Sequence, residues 1–362
     1  MKEEQRNKKK TEVQTFSIEL SSGEIKENIS ISNKTHSKLS KEKIIKQAIN
    51  FHQKGNIKEA YKYYQYCINN NFDDYSVYSN YGVLLHTVGK LKEAELAYYK
   101  AITLNPNLVE AHFNLGNVLT EMGNLKEAEL SIRKALELKP DSADTAWLLY
   151  GLANTIEEAK ESINLCLKID ENYLKAILTL SALNLHQGDR SLFENLTKSS
   201  YKNHPIIRSI KWVSTLPKSP ELFFHKWALF DSMIKKSKKE RPFYEFGVWR
   251  GESFKYLINT FKKGYGFDTF EGLPEDWHND KKGTFTTEGL IPNIDGGTFI
   301  KGEFKDTLPT FFAKPRAIAS IINFDADLYA STISALNYSK SIIDKDTILI
   351  FDEFINNKHW EQ

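Results

Sequence analysis

The chain has 362 residues, 41% hydrophobic and 27% charged, a balance typical of a soluble globular protein with two or three domains. The formal net charge of +2 gives no strong field, so neither a nucleic-acid partner nor an anionic membrane surface is indicated. No run of about 18 apolar residues predicts a membrane span, and no signal peptide is recognisable. With only Cys67 and Cys166, a disulfide framework or thiolate metal site is disfavoured and a cytoplasmic location is predicted.

The first 40 residues predict a disordered tail. They are rich in Lys, Glu, Ser and Asn and contain few apolar residues. Burial of these few side chains cannot offset the entropy cost of ordering the chain.

From about residue 41 the sequence repeats with a period of 34 residues. The residues that recur at this spacing are small or turn-forming: Gly55, Gly89 and Gly123; Ala60, Ala94 and Ala128; Cys67, Ala101 and Ala135; Pro106 and Pro140. Small residues let two antiparallel helices approach, glycine turns the chain between them, and proline ends the second helix. The pattern resembles the tetratricopeptide repeat, which implies a helical solenoid with a groove for a protein partner.

Two weaker copies follow the three clear repeats. The fourth spans about residues 143–171 and places Ala159 and Cys166 only 31 residues after their predecessors. The fifth is degenerate and retains Gly188, Phe193 and Pro205. We therefore predict a repeat domain over residues 41–205, with both cysteines as packing residues rather than reactive thiols.

Residues 206–240 combine tryptophan and phenylalanine in a helical pattern with the basic run KKSKKER. This composition predicts a docking helix followed by a basic hinge. Nothing aromatic or glycine-rich interrupts the basic run, so it is interpreted as a solvated junction rather than a phosphate site.

The stretch YEFGVWRGES, residues 244–253, has the form of a strand that ends in an acidic residue, a glycine turn and a helix start. Parallel α/β sheets bind ligands at the carboxyl ends of their strands, where this turn would lie. The spacing lacks the third glycine of the dinucleotide fingerprint, and Trp249 and Arg250 are bulky where a pyrophosphate would approach. A nicotinamide cofactor is therefore disfavoured. S-adenosylmethionine carries cationic groups and no pyrophosphate, so Glu245 beside Gly247 and Gly251 suits it. An ordinary strand-turn-helix with a surface glutamate is the alternative.

A second strand, residues 265–269, ends in Asp268, 21 residues beyond Gly247. An acid at this distance accepts hydrogen bonds from ribose hydroxyls in doubly wound sheets, although a turn-forming aspartate is the alternative. Residues 271–297 predict a long mobile loop over the strand ends. A third strand, residues 298–300, is followed by Gly302 and Asp306.

Two apolar runs, residues 318–324 and 347–351, predict central parallel strands separated by a helix over 328–343. Asp325 and Asp327 follow the first run, and Asp352 and Glu353 follow the second. Four carboxylates at one edge favour a hard divalent cation, and one acid can remain free as a base. Helix capping by Asp327 is the alternative.

The segments EFGVWRGES, YGFDTFEGLPEDW, GEFKDTLP, DADLYAST and FDEF resemble the macrocin O-methyltransferase type of class I S-adenosylmethionine-dependent methyltransferase, over roughly residues 240–355. The resemblance implies that Glu245, Gly247 and Ser253 hold the methionine moiety, that Asp268 binds the ribose and that Asp306 lies near the adenine. Gly251 and Gly302 complete the predicted cofactor set. By the same resemblance Asp325, Asp352 and Glu353 are the magnesium ligands and Asp327 is the general base.

The predicted architecture is thus an α-helical repeat array followed by a Rossmann-like α/β domain over residues 241–362. The predicted function is O-methylation of a hydroxyl on a sugar or glycosylated small molecule, with the sugar implied by the resemblance alone. An interaction scaffold with a catalytically silent α/β half is the main alternative, and a nicotinamide oxidoreductase is a more distant one.

Related methyltransferases continue past the fifth strand with a helix and an antiparallel pair, whereas this chain ends about ten residues after Glu353. The apolar strand 347–351 is then an unprotected edge, which predicts either a truncated form with weak activity or a second subunit that covers the edge.

Overall fold

The computed structural model of the protein describes residues 40–352 except 278, 279 and 288. All but one residue of the predicted tail, and the predicted metal ligand Glu353, lie outside this range.

Between residues 40 and 198, the structure shows ten helices packed mainly as antiparallel pairs. They are α1 (Lys41–Gln53), α2 (Ile57–Asn69), α3 (Tyr75–Thr87), α4 (Leu91–Leu104), α5 (Val109–Glu121), α6 (Leu125–Leu138), α7 (Ala143–Tyr150), α8 (Ile156–Ile169), α9 (Leu174–His186) and α10 (Ser191–Lys198). The repeating glycines have positive φ angles, for example +76° at Gly89 and +78° at Gly123. Glycine reaches this region without a Cβ penalty, so it can reverse the chain within each pair.

The 34-residue small-residue positions form the interior of the array. Ala60, Ala94 and Ala128 are fully buried, as is Ala159 of the shortened fourth copy. Cys67 and Cys166 are also buried. The Sγ of Cys166 donates to the carbonyl of Ala143 at 3.4 Å, and burial raises the pKa of Cys67 to about 11. A thiol that stays protonated at neutral pH packs as a small hydrophobe, in agreement with the predicted structural role.

Two further helices join the array to the α/β half. A short 3-10 turn, Ser200–Asn203, is followed by α11 (Pro205–Val213) and α12 (Lys226–Lys236). Pro205 stands in the first turn of α11 and starts a helix, whereas Pro106 and Pro140 follow the ends of α4 and α6. Proline is tolerated in a first turn because its missing N–H has no helical partner there.

The described part of the C-terminal half forms a five-stranded parallel sheet with helices. Its elements are β1 (Phe243–Phe246), α13 (Glu252–Phe261), β2 (Gly264–Asp268), β3 (Gly297–Lys301), α14 (Phe304–Phe312), β4 (Ile321–Phe324), α15 (Tyr329–Ser339) and β5 (Ile348–Phe351). The strand order β3-β2-β1-β4-β5 is that of a doubly wound Rossmann-like sheet and confirms the predicted fold class. The order places the carboxyl end of β1 between those of β2 and β4.

Aromatic side chains fill one face of the sheet. The ring of Phe246 stacks between those of Phe267 and Phe324, with centroids 4.8 Å and 5.3 Å away, and all three are buried. Burial of each such side chain stabilises the fold by roughly 1.5–3 kcal/mol. The strands are apolar because helices cover both faces of a parallel sheet.

Helix α12 contacts both halves of the molecule. Trp227 is buried in the core formed with Phe243 and Phe254 of the α/β half, and its indole Nε1 donates to the carbonyl of Thr120 at 3.0 Å. Trp227 thus contacts both halves, and the docking role of residues 206–240 stays a prediction. Within the described ranges, no helix combines the length and hydrophobicity needed to cross a membrane.

Candidate functional site

The site is built around Glu245 at the end of β1. Its side chain is only 1% exposed, and its Oε1 accepts a hydrogen bond of 2.8 Å from Nδ2 of Asn323 on the neighbouring β4. Its other oxygen, Oε2, is buried and has no hydrogen-bond partner among the described residues. A buried carboxylate oxygen without a partner is costly, so the arrangement indicates a site for a donor or cation.

Burial raises the pKa of Glu245 to about 8, the nearby carboxylate of Asp268 adds to the rise, and the bond from Asn323 and the ammonium of Lys226 oppose it. A cation placed at Oε2 would favour the ionised form. The site therefore suits a positively charged ligand group.

The loop after β1 is held in a conformation that requires glycine. Gly247 has a φ of +89°, and a Cβ on it would collide with the backbone carbonyl of Asp325. Gly251, with a φ of +79°, precedes α13, and Ser253 is buried in the first turn of that helix. Trp249 also lies in the left-handed region at φ +49°, although it is not glycine. A non-glycine residue in this region is strained and is retained where its surroundings hold it.

Asp268 holds that loop in place. Its Oδ2 accepts hydrogen bonds from the backbone N–H groups of Val248 at 2.8 Å and Trp249 at 2.7 Å, and its Oδ1 accepts from Phe270 at 2.6 Å. Three of the roughly four lone-pair positions of a carboxylate are therefore engaged. The residue predicted to bind a ribose is, in this structure, the anchor of the loop.

The remaining predicted cofactor residues lie near the end of β3. Gly302 has a φ of +137°, and its N–H donates to the backbone carbonyl of Asp268 at 2.9 Å, so it belongs to the same edge. Asp306 is exposed in the first turn of α14. The structure thus groups Glu245, Gly247 and Asp268 closely and places Asp306 at the surface.

The acids that follow β4 and β5 come together as the parallel topology predicts. Phe324 and Phe351 are paired in register, so Asp325 and Asp352 follow at adjacent strand ends. Asp325 has a pKa well above its usual range because its carboxyl is buried and because Asp352, Glu245 and Asp327 are near; Asp352 also shares a hydrogen bond with it. Asp327 itself has a φ of +55°.

The carboxylates of Asp325 and Asp352 are two of the three predicted magnesium ligands. Hard oxygen ligands suit Mg²⁺, and Asp325 and Asp352 are close enough to share a proton. The described part of the chain nevertheless contains no group of three or more His, Cys, Asp or Glu side chains arranged to hold a metal ion. The third predicted ligand, Glu353, lies outside the described residues, so the metal site stays a prediction.

The segment between β2 and β3 packs against the β1 loop. The ring of Phe285 meets that of Trp249 edge-on at 5.5 Å, and Pro292 and Ile294 lie beside Gly251. Trp249 Nε1 is buried without a hydrogen-bond partner in the described ranges. This segment covers the loop, as predicted, and its mobility stays a prediction.

Sequence reasoning missed two residues of the site. Asn323 lies inside the apolar run of β4 and is 2% exposed, and a polar residue in the middle of such a run was the available signal. Lys226 begins α12, outside the α/β half, and its proximity to Glu245 could not be read from local pattern.

The comparisons with known proteins identify the repeats directly. The family profile described as tetratricopeptide repeat matches residues 109–142, and one described as TPR repeat matches residues 86–123. The chain therefore contains tetratricopeptide repeats, as the sequence pattern predicts.

Solved structures similar to this chain include repeat proteins. MamA from Desulfovibrio magneticus RS-1 matches with a TM-score of 0.40 and 21% identity, covering 49% of this chain and 99% of that one. A tetratricopeptide repeat protein from Parabacteroides merdae matches with a TM-score of 0.41 and 19% identity, covering 47% of this chain and 70% of that one.

A curated relative is an O-methyltransferase. The 8-demethyl-8-(2,3-dimethoxy-alpha-L-rhamnosyl)-tetracenomycin-C 4'-O-methyltransferase of Streptomyces olivaceus is 29% identical over 139 residues, covering 30% of this chain and 51% of that protein. The chain thus spans about half the length of this relative. The similarity agrees with a methyltransferase-like half joined to a repeat array.

Proposed function

We propose that the protein is an S-adenosylmethionine-dependent O-methyltransferase whose repeats bind a protein partner. The observation that carries the proposal is the buried Glu245 with an unpartnered oxygen, next to a left-handed Gly247 at the carboxyl end of the central strand. The similarity to an O-methyltransferase supports the reaction class. A sugar hydroxyl is the proposed acceptor, because the name of that relative includes a rhamnosyl group.

Each part of the site has a distinct role in this proposal. Glu245 would hold the ammonium group of the cofactor, beside the loop from Gly247 to Gly251 that Asp268 holds in place. Asp327 would accept the proton of the acceptor hydroxyl. Bound S-adenosylmethionine supplies an activated methyl group.

Asp325 and Asp352, with Glu353, would hold a magnesium ion. The chemistry that such an ion supplies is a lowered pKa of the acceptor hydroxyl. Chelation is then expected to abolish transfer, and Asp352→Asn to raise the magnesium concentration needed. Full activity in excess chelator would remove the metal from the proposal and leave the carboxylates with a structural role.

The reaction is tested by methyl transfer from labelled S-adenosylmethionine to a panel of rhamnosides and other glycosides, with the full chain. We expect label in a glycoside and none with Asp327→Asn. The matched control is Asp346→Asn, a carboxylate in the turn before β5. Equal transfer by the Asp327 variant would exclude it as the base.

For the repeats, we propose a protein partner, supported by two exposed leucines at equivalent repeat positions. Leu96 and Leu130 are 69% and 70% exposed although both are apolar. If this partner binding were the whole function, the chain would bind S-adenosylhomocysteine no better than an unrelated protein does. Cofactor binding therefore distinguishes an enzyme from a scaffold.

A further inference from the structure

Arg250 joins the β1 loop to the repeat array. Its guanidinium Nη2 donates to the backbone carbonyl of Thr87, at the end of α3, at 2.6 Å. A Cβ on Gly89, two residues further on, would overlap the guanidinium of Arg250. The Arg250 side chain therefore packs against the glycine turn between α3 and α4. The turn can accommodate it because Gly89 has no side chain.

Charged groups around this contact come from the repeats and from α13. Burial lowers the pKa of Arg250 to about 10, while Glu121 and Glu252 oppose the shift. Glu121, at the end of α5, lies 2.7 Å from Nε2 of His86 at the end of α3. The guanidinium thus stays charged at neutral pH. It lies between Thr87 of the second repeat and Glu121 of the third.

A second contact of the same kind lies one repeat further along. Trp227 of α12 donates to the carbonyl of Thr120, and its indole lies 3.4 Å from the position of a Cβ on Gly123. Gly123 is the 34-residue equivalent of Gly89. Two consecutive repeat turns therefore each receive a side chain from beyond the array.

Within the loop, Arg250 contacts the neighbouring Trp249. The guanidinium stacks on the ring of Trp249 with 3.9 Å between its central carbon and the ring centroid. Trp249 is strained at φ +49°, and its backbone N–H donates to Oδ2 of Asp268. Thr87, Arg250, Trp249 and Asp268 thus form a continuous series of contacts from the repeat array to the edge of the sheet.

We infer that the second and third repeats position the proposed cofactor loop through Arg250, so that the array is part of the binding site rather than an independent partner module. This inference rests on the proposed function. Arg250 is a positioning residue in it, because it acts on the loop through Trp249.

The test uses Gly89→Ala, which leaves every residue of the loop unchanged. Its matched control is Gly188→Ala, since Gly188 also has a positive φ, +98°, and a Cβ there meets no described atom within 4 Å. We expect Gly89→Ala to weaken binding of S-adenosylhomocysteine by about fivefold or more, and Gly188→Ala to leave it unchanged. Equal affinities for the two variants would overturn the inference.

A double-mutant cycle separates positioning from a general loss of stability. Arg250→Ala alone should weaken binding, and adding Gly89→Ala to it should have no further effect, because the contact is already gone. Additive losses would contradict the inference.

Amide hydrogen exchange of residues 247–251 in ligand-free protein gives a readout that does not depend on the cofactor. Exchange should be faster in Gly89→Ala than in Gly188→Ala, and equal exchange would count against positioning. If the unaltered chain binds no S-adenosylhomocysteine, the proposed function fails and exchange alone decides the inference.

Discussion

The amide of Asn323 donates to Oε1 of Glu245 at 2.8 Å inside the sheet and leaves the second carboxylate oxygen without a partner in the described part of the chain. This half-satisfied pair lies at the edge where parallel sheets bind ligands. A buried polar group of this kind is expensive for the folded protein unless a ligand completes it. The pairing of these two residues therefore supports a ligand-binding role for Glu245 and a stability that depends on pH.

The free energy of unfolding should fall as the pH rises from about 4.5 to about 8, because in this range Glu245 keeps its proton in the folded protein and loses it in the unfolded chain. Below its usual pKa of 4.5 the carboxyl is protonated in both states, and between about 4.5 and 8 only the unfolded chain ionises. The stabilisation is thus complete at low pH and lost as the pH approaches 8. Asp325, whose pKa is also raised, adds to the same trend.

Urea unfolding at a series of pH values from about 5 to about 9 measures this dependence of the free energy of unfolding on pH. Glu245→Gln keeps an acceptor for Asn323 and cannot ionise, so its free energy of unfolding should decline less across that range than that of the parent. The control is Glu137→Gln, whose side chain is 69% exposed. Identical pH profiles for parent and Glu245→Gln would refute the raised pKa.

Gly247→Ala should destabilise the α/β half more than any strain of the backbone explains. Gly283 has nearly the same φ, +88° against +89°, but a Cβ there meets no described atom within 4 Å, whereas at Gly247 it meets the Asp325 carbonyl. We expect Gly283→Ala to cost about 1 kcal/mol from strain and Gly247→Ala about 2 kcal/mol more from overpacking. Unfolding monitored by tryptophan fluorescence gives both values, and equal losses would show that β4 can move aside.

Asp268→Asn should loosen the loop from Val248 to Trp249. An asparagine offers one oxygen and directs an amide group at an N–H donor, so at least one of the three backbone bonds is lost, at a cost of about 1–3 kcal/mol. Asp276→Asn is the control, because that carboxylate also accepts a backbone N–H, from Lys282, but is 56% exposed. If both variants unfold alike, Asp268 does not anchor the loop.

The sequence predicted what depends on local periodicity. The 34-residue spacing located the helix pairs and their glycine turns, and the apolar runs with terminal acids located β1, β2, β4 and β5, because strands buried on both faces read as continuous apolar segments. The meeting of Asp325 and Asp352 followed from parallel topology alone.

Contacts between distant parts of the chain could not be predicted in this way. The bond from Arg250 to Thr87 joins residues 163 apart, and no pattern along the chain encodes which turn receives the guanidinium. The engagement of Asp268 by three N–H groups was hidden for the same reason, since it depends on how the loop after β1 folds back over β2. Sequence reasoning thus indicated the acids and left their partners open.

Titration calorimetry of the full chain with S-adenosylhomocysteine tests the proposed cofactor site most directly. The account predicts one binding site, and a loss of more than about tenfold in affinity for Glu245→Gln, equivalent to about 1.4 kcal/mol of charge-assisted interaction. Glu137→Gln should bind like the parent. Absence of binding at high protein concentration, or equal affinity in the Glu245 variant, would contradict the account.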